Sequence, residues 1–269
     1  MNHGINNTLL YSACKVSSVF QCNATGKELK LAGTAFFTTN KKGEVCLITN
    51  RHMIEINYNR KDDKYKTFNL TALYVDNRRN NPQTGLPTDI VDLKIENLNK
   101  IQFSDQYEND IACLINVKIA GAENKEIAFS VPYDFFATDE FIKTKLSVGD
   151  FVAFPGFPKW YDVHNNNPIL RTGTIASDPR FDYSPDQNYK GASMAYEAFS
   201  FGGSSGSPVF AMQKGFPVAG IIQAGPDFYR PIKLIGINAG HLSDLGYAAQ
   251  HSGISYMYKS SEILAIIDK

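Results

Sequence analysis

Apolar residues along this chain fall at alternate positions or in short runs bounded by turn formers, and seldom at helical spacing. Runs rich in Val, Ile, Thr and Phe over residues 29–37 and 45–54 flank a polar stretch at 38–43, the pattern of a hairpin. Residues 8–22 mix apolar and small positions and predict a short helix or a first strand. Alternation rises again toward a strand at 67–75. Residues 76–88 carry Asn, Arg, Pro and Gly without a period and predict an exposed loop. Further strands are predicted at 90–95, 111–117, 149–158, 168–177, 216–224, 233–239 and 253–258, with a polar loop running to about residue 191. Residues 260–269 predict a C-terminal helix. A serine opens it, Glu262 lies in its first turn, and Ile263, Leu264, Ile266 and Ile267 make one apolar face. Many short strands and little helix predict an all-β fold whose strands close into barrels. The expected organisation is one barrel over residues 1–130, a linker at 131–147 and a second barrel over 148–269.

A chain of 269 residues can bury a sizeable core. Lys plus Arg and Asp plus Glu number 27 each, so no net field favours nucleic acid or an anionic membrane. No apolar run reaches the roughly 20 residues that span a bilayer. Residues 1–15 lack the cationic start and long apolar stretch of a secretory signal. Cys14, Cys22, Cys46 and Cys113 follow no metal-ligand spacing, and neither metal nor cofactor is expected. Cys46 and Cys113 lie in apolar runs, where a free thiol serves as a small core residue. The expected setting is a reducing, cytoplasmic one, with signal-independent secretion the other route open.

The chemistry concentrates in Phe199-Ser200-Phe201-Gly202-Gly203-Ser204-Ser205-Gly206-Ser207-Pro208-Val209-Phe210. Glycines on both sides of Ser205 let the backbone take positive φ, and such a turn can aim the amides of Gly203 and Ser205 at one point beside the serine hydroxyl. A hydroxyl alone is a poor nucleophile, so a base and a group to orient it are needed. Upstream lie Gly33-Thr34-Ala35-Phe36-Phe37 and Val45-Cys46-Leu47-Ile48-Thr49-Asn50-Arg51-His52-Met53-Ile54. Between these and the serine turn stands Asn109-Asp110-Ile111-Ala112-Cys113-Leu114-Ile115.

Taken together, these stretches resemble the chymotrypsin-like serine proteases, and within them the bacterial high-temperature-requirement (Htr) type, from about residue 33 to the C-terminal helix. The order His, Asp, Ser and the gaps of 58 and 95 residues are those of the family. The resemblance implies two antiparallel, six-stranded Greek-key barrels followed by a helix. It also implies that Ser205 is the nucleophile, His52 the general base and acid, and Asp110 the group that orients the imidazole. Gly203 and Ser205 would supply the oxyanion-hole amides. Ser204 and Ser207 are the rival serines. His52 is preferred over His3, His164, His241 and His251 because Thr-Asn-x-His ends a strand. Asp92 and Asp105 are weaker than Asp110 because neither leads from an Asn into an apolar run.

Counting back from Ser205 puts Phe199 at the base of the specificity pocket, with Ser200 beside it. The wall is Asn238-Ala239-Gly240, or alternatively Gln223-Ala224-Gly225; with the first choice, residues 211–233 are an insertion. No acidic residue stands at any of these places, so an apolar residue is expected on the acyl side of the cut bond.

The chain also departs from its apparent relatives. Ser204 replaces the Asp of trypsin-like zymogens and no Ile-Val-Gly-Gly-like start is present, so activation by N-terminal cleavage is not expected. Met53 stands where secreted relatives carry a half-cystine. No residues follow the helix, so neither the Htr peptide-binding module nor its trimeric assembly is expected.

An α/β-hydrolase would need Gly-x-Ser-x-Gly ahead of a helix and a histidine after the serine, and Ser207-Pro208-Val209 breaks that pattern. A zinc hydrolase lacks ligand spacing. The rival from another class is a protease-like fold of weak or no activity that serves as a protein-binding module. The expected partner is a protein or peptide substrate, with no nucleic acid or membrane.

Overall fold

The computed structural model describes residues 5–60, 63–121, 127–186, 190–215, 229–244 and 250–269. The first stretch in doubt contains both predicted elements in succession. Helix α1 (Asn7–Tyr11), capped by the Asn6 side chain on Leu9 N, leads into β1 (Ala13–Cys22). The expected hairpin follows as β2 (Glu28–Thr39) and β3 (Val45–Thr49), paired from Phe36↔Ile48 to Thr39↔Val45. Strands β4 (Phe68–Asn80), β5 (Pro87–Ile95), β6 (Ile101–Phe103) and β7 (Ala112–Ile115) complete a seven-stranded antiparallel sheet in the order β5-β4-β1-β2-β3-β7-β6. Two expectations fail here. The sheet has seven strands rather than six, because β6 is only three residues long and too short to show as a pattern. Residues 76–88 are not a loop. Their polar residues extend β4 and open β5 through pairs such as Asn77↔Val91, Arg78↔Ile90 and Asn80↔Pro87, and only a tight turn at 81–86 remains. A partner strand, rather than apolar content, holds these residues extended.

Helix α2 (Asp139–Lys145), capped by Thr138, lies in the connection between the sheets and has no apolar period long enough to predict it. Beyond it, β8 (Phe151–Gly156), β9 (Ile169–Ile175), β10 (Ser193–Glu197), β11 (Pro208–Ala211), β12 (Lys233–Asp244) and β13 (Gln250–Lys259) form a closed six-stranded barrel, β10-β13-β12-β11-β8-β9. The strand expected at 216–224 lies outside the described residues. Helix α3 (Ser260–Ile267) starts where expected, although Lys259 occupies the N-cap and gives no side-chain cap.

One apolar cluster fills the seven-stranded sheet around Val16, Phe37, Leu47, Leu73, Leu93 and Leu114, and another fills the barrel around Phe154, Tyr196, Val209 and Ile235. A third joins them, with Phe36, Ile48 and Cys113 from one side and Phe210, Leu234 and Ile237 from the other. Ile263, Ile266 and Ile267 of α3 close over it. Each of these isoleucines contributes roughly 1.5–3 kcal/mol by leaving water. The helix therefore acts as a wedge that keeps the two halves in one relation. All four cysteines are buried and free, and burial pushes the Cys14 and Cys46 thiols up to about 12. No helix among the described residues is long and apolar enough to cross a membrane.

Candidate active site

Strand register brings the first two candidate residues together. β3 pairs with β7 from Cys46↔Ile115 to Thr49↔Ala112. His52 stands three residues beyond Thr49, and Asp110 two residues before Ala112. Both therefore emerge at the same end of the strand pair, where a 3-10 turn at Arg51–Met53 swings His52 back. Asp110 grips it twice. Its Oδ2 lies 2.5 Å from His52 Nδ1, and its Oδ1 accepts from the His52 main-chain amide at 2.8 Å. Asn50 Nδ2 donates to the Asp110 carbonyl at 2.6 Å and fixes the backbone behind the carboxylate. Arg51 is held aside by Glu55 and by the rings of Tyr58, Phe103 and Tyr107, so its charge is engaged away from His52.

Asn109 is fully buried and ties this point to the second half. Its Nδ2 donates to Glu262 Oε2 of α3 at 2.7 Å and to Ser104 Oγ at 3.1 Å, while its Oδ1 accepts from Ala192 N at 2.9 Å. Burial pushes the Glu262 carboxyl above its ordinary range. The sequence had marked Asn109 only as a neighbour of Asp110.

The serine turn is built on two left-handed glycines, Gly203 (φ +94°) and Gly206 (φ +88°). Space forbids a side chain at either. A Cβ would stand 2.3 Å from Phe157 O at Gly203 and 1.9 Å from Thr34 O at Gly206. Thr34 is the anchor. Its amide donates to Ser205 O at 2.9 Å, its Oγ1 donates to Gly203 O at 2.8 Å and accepts from Phe157 N at 3.0 Å. Lys159 N donates to Gly202 O at 2.9 Å. With the carbonyls of Gly202, Gly203 and Ser205 turned to these donors, the amides of Gly203 and Ser205 have no acceptor among the described residues.

Burial separates the three serines. Ser204 is 2% exposed and Ser207 0%, and both hydroxyls lie buried without a hydrogen-bond partner among the described residues, whereas Ser205 is only partly covered. Ser205 lies close to the histidine segment, since a Cβ on Gly33 would stand 2.8 Å from Met53 Sδ and 3.4 Å from Ser205 O. Among the described residues, the hydrogen bonds of the His52 side chain go to Asp110 and none reaches Ser205. Such contacts are often long in free enzymes and tighten only with substrate.

No family model matches the chain, and no curated protein sequence matches it. Solved structures do. A thermostable serine protease, AL20, from an extremophilic microorganism is 13% identical at a TM-score of 0.53, covering 96% of this chain and 95% of that one. Protease Anisep from Arthrobacter nicotinovorans is 13% identical at 0.52, covering 94% and 91%. The HtrA-type protease AlgW, solved with a decapeptide, is 13% identical at 0.51, covering 96% of this chain and 64% of that one. The chain has the fold of the trypsin-like serine proteases.

Within that fold the candidate pocket residues do not act alike. Asn238 is buried, with Nδ2 on Ser204 O at 2.8 Å and Oδ1 accepting from Tyr196 Oη at 2.5 Å, so its side chain braces the serine turn. Its main chain does the same, accepting from Gly206 N and donating to Ser207 O, each at 2.9 Å. Ala239 is buried in the cluster between the halves, and Gly240 faces the Tyr256 ring. Ser200 is buried, its Oγ accepting from Ser255 Oγ at 2.9 Å. Phe199 is 58% exposed, its ring against Phe201 and His251. The alternative wall at 223–225 lies outside the described residues. What sequence reasoning missed is a pair of imidazoles, His241 and His251, stacked at 4.3 Å beside these residues. They lie ten positions apart on paired strands, and no local pattern connects them.

Proposed function

We propose that this protein is a serine endopeptidase that forms an acyl-enzyme on Ser205. The observation that carries the reading is the double grip of Asp110 on His52, since it serves the reaction at both atoms. With Nδ1 donating to the carboxylate, Nε2 is the nitrogen left to act as base. His52 Nε2 takes the proton of Ser205 Oγ as that oxygen attacks the peptide carbonyl. Asp110 stabilises the imidazolium without taking the proton. The carbonyl oxygen, now negative, is met by the amides of Gly203 and Ser205, which have no other acceptor among the described residues. His52 returns the proton to the leaving nitrogen, the C–N bond breaks, and the first product departs. Water then repeats the cycle on the ester and frees Ser205. Neither a metal nor a cofactor is needed for these steps.

A second reading, a protease-like binding module, is favoured by the missing hydrogen bond between His52 and Ser205. Reaction with a fluorophosphonate separates the two. The protease reading expects a stoichiometric covalent adduct on Ser205, lost in Ser205→Ala and strongly slowed in His52→Ala, together with peptide hydrolysis. A protein that binds peptides yet forms no adduct would establish the module instead.

A further inference from the structure

Beside the serine turn lies a group of side chains that the proposed reaction does not use. His241 and His251 stack at 4.3 Å, and His251 also packs on Phe199 at 4.9 Å and Phe201 at 5.9 Å. The group adjoins Ser205 on two sides. Ser200, five residues before Ser205, donates its amide to His251 Nε2 at 3.1 Å. His241 stands three residues beyond Asn238, the residue that clamps Gly206, which is about 10 Å along an extended strand. That is within the reach of a substrate side chain whose own carbonyl sits at Ser205.

The two imidazoles differ in what they can offer. Gly253 N also points at His251, 2.8 Å from Nδ1, so both its ring nitrogens face main-chain amides and it serves as a support. His241 has no hydrogen-bond partner among the described residues. A half-buried imidazole with an aromatic backing, whose nitrogens have no partner among the described residues, can donate to or accept from a bound group. The charges around it identify the ligand. Arg171 of β9 lies with its guanidinium 4.6 Å from the Phe201 ring and its Nη1 on Phe199 O at 2.7 Å, and its positive charge acts on His251. Burial lowers the pKa of both histidines, and that of His251 is lowered further by His241 and Arg171. From β13, Tyr256 is the other titratable group nearby, and it is uncharged. Among the described residues the site has one fixed positive charge, Arg171, and imidazole nitrogens able to donate, and no carboxylate acts on it.

We propose that the His241–His251 stack, backed by Arg171, is the selectivity element of the cleft and takes an acidic side chain on the acyl side of the cut bond. The inference rests on the protease reading of Ser205. It differs from the apolar preference expected from the sequence, which rests on Phe199 near the pocket base and on the lack of acidic residues around it. A substrate carboxylate would accept a charge-assisted hydrogen bond from His241 and supply the counter-charge that the cluster lacks. A Lys or Arg side chain would meet Arg171 as a like charge. A Leu side chain would cover the imidazole and leave its nitrogens unpaired.

The test is binding of product-like peptides, identical except for a C-terminal Glu, Gln, Leu or Lys, to Ser205→Ala. Without turnover this reports the pocket alone. It can therefore fail while fluorophosphonate labelling of the parent upholds the protease reading, and the reverse also holds. The Glu peptide should bind about tenfold more tightly than the others. Its advantage should vanish when His241→Ala or His241→Gln is added, with binding of the Leu peptide retained as evidence that the cleft is intact. Titration by NMR should show the His241 pKa rising when the Glu peptide binds. Equal binding of Glu and Gln, a preference for Leu or Lys, or a Glu preference that survives both substitutions would overturn the proposal.

Discussion

Gly203 shows how narrowly the candidate site is specified at the scale of single residues. Its φ of +94° and the Phe157 carbonyl 2.3 Å from where a Cβ would stand are independent obstacles to any side chain. Gly202, one position earlier, has a backbone that any residue could adopt and open space around a Cβ. The two therefore make a matched pair of variants. Gly203→Ala should lower kcat/KM by roughly two to three orders of magnitude, the loss typical of an oxyanion-hole donor, while the protein stays folded by circular dichroism. Gly202→Ala should lose far less. Equal effects in a peptide-hydrolysis assay would show that the amide of Gly203 has no special part in the reaction. The hydroxyls are separated by the same means. Ser204 and Ser207 sit in a sequence as rich in serine as Ser205 does, and only burial sets them apart.

At the scale of elements, the C-terminal helix does more than cover apolar surface. Glu262 in its first turn holds Asn109, and Asn109 leads directly into Asp110. Burial raises the Glu262 pKa, so folding favours its protonated form. Its contribution is therefore fully present below the unfolded pKa and is lost as pH rises through the raised, folded-state pKa. A glutamine keeps the acceptor for Asn109 and cannot ionise. Glu262→Gln should thus melt no lower than the parent at pH 8, and the difference should shrink toward pH 4. A melting temperature that fell only at high pH would show that the ionised carboxylate is the stabilising form. The strands teach a complementary lesson: β4 and β5 run on through polar residues because each is the other's hydrogen-bond partner.

At the scale of the whole molecule, Thr34 is one of the points where the two halves meet. It lies in β2 of the seven-stranded sheet, yet its side chain satisfies Gly203 O and Phe157 N of the other half. Thr34→Val preserves shape and removes both bonds. Leaving two buried polar groups unpaired should cost about 2–4 kcal/mol in chemical denaturation. Because Gly203 O is freed, the serine turn should relax and fluorophosphonate labelling should slow more than the stability loss explains. Unchanged stability and labelling would mean that the halves are held by the apolar cluster and α3 alone.

The sequence by itself determined the class of fold, most strand positions, the terminal helix and the stretches that carry the candidate triad. Those features are local: alternation of apolar residues, turn glycines, and short motifs at strand ends, each legible within about ten residues. The His52–Asp110 contact was legible as well, because it follows from two strand ends that register brings together. The tertiary structure alone decided what depends on distant chain segments. It made strands of residues 76–88 through their partners, left Ser205 more accessible than Ser204 and Ser207, and turned Phe199 outward. It also stacked His241 on His251 and set Glu262 behind Asn109. Burial and cross-strand proximity are properties of packed surfaces, and no single stretch of chain encodes them.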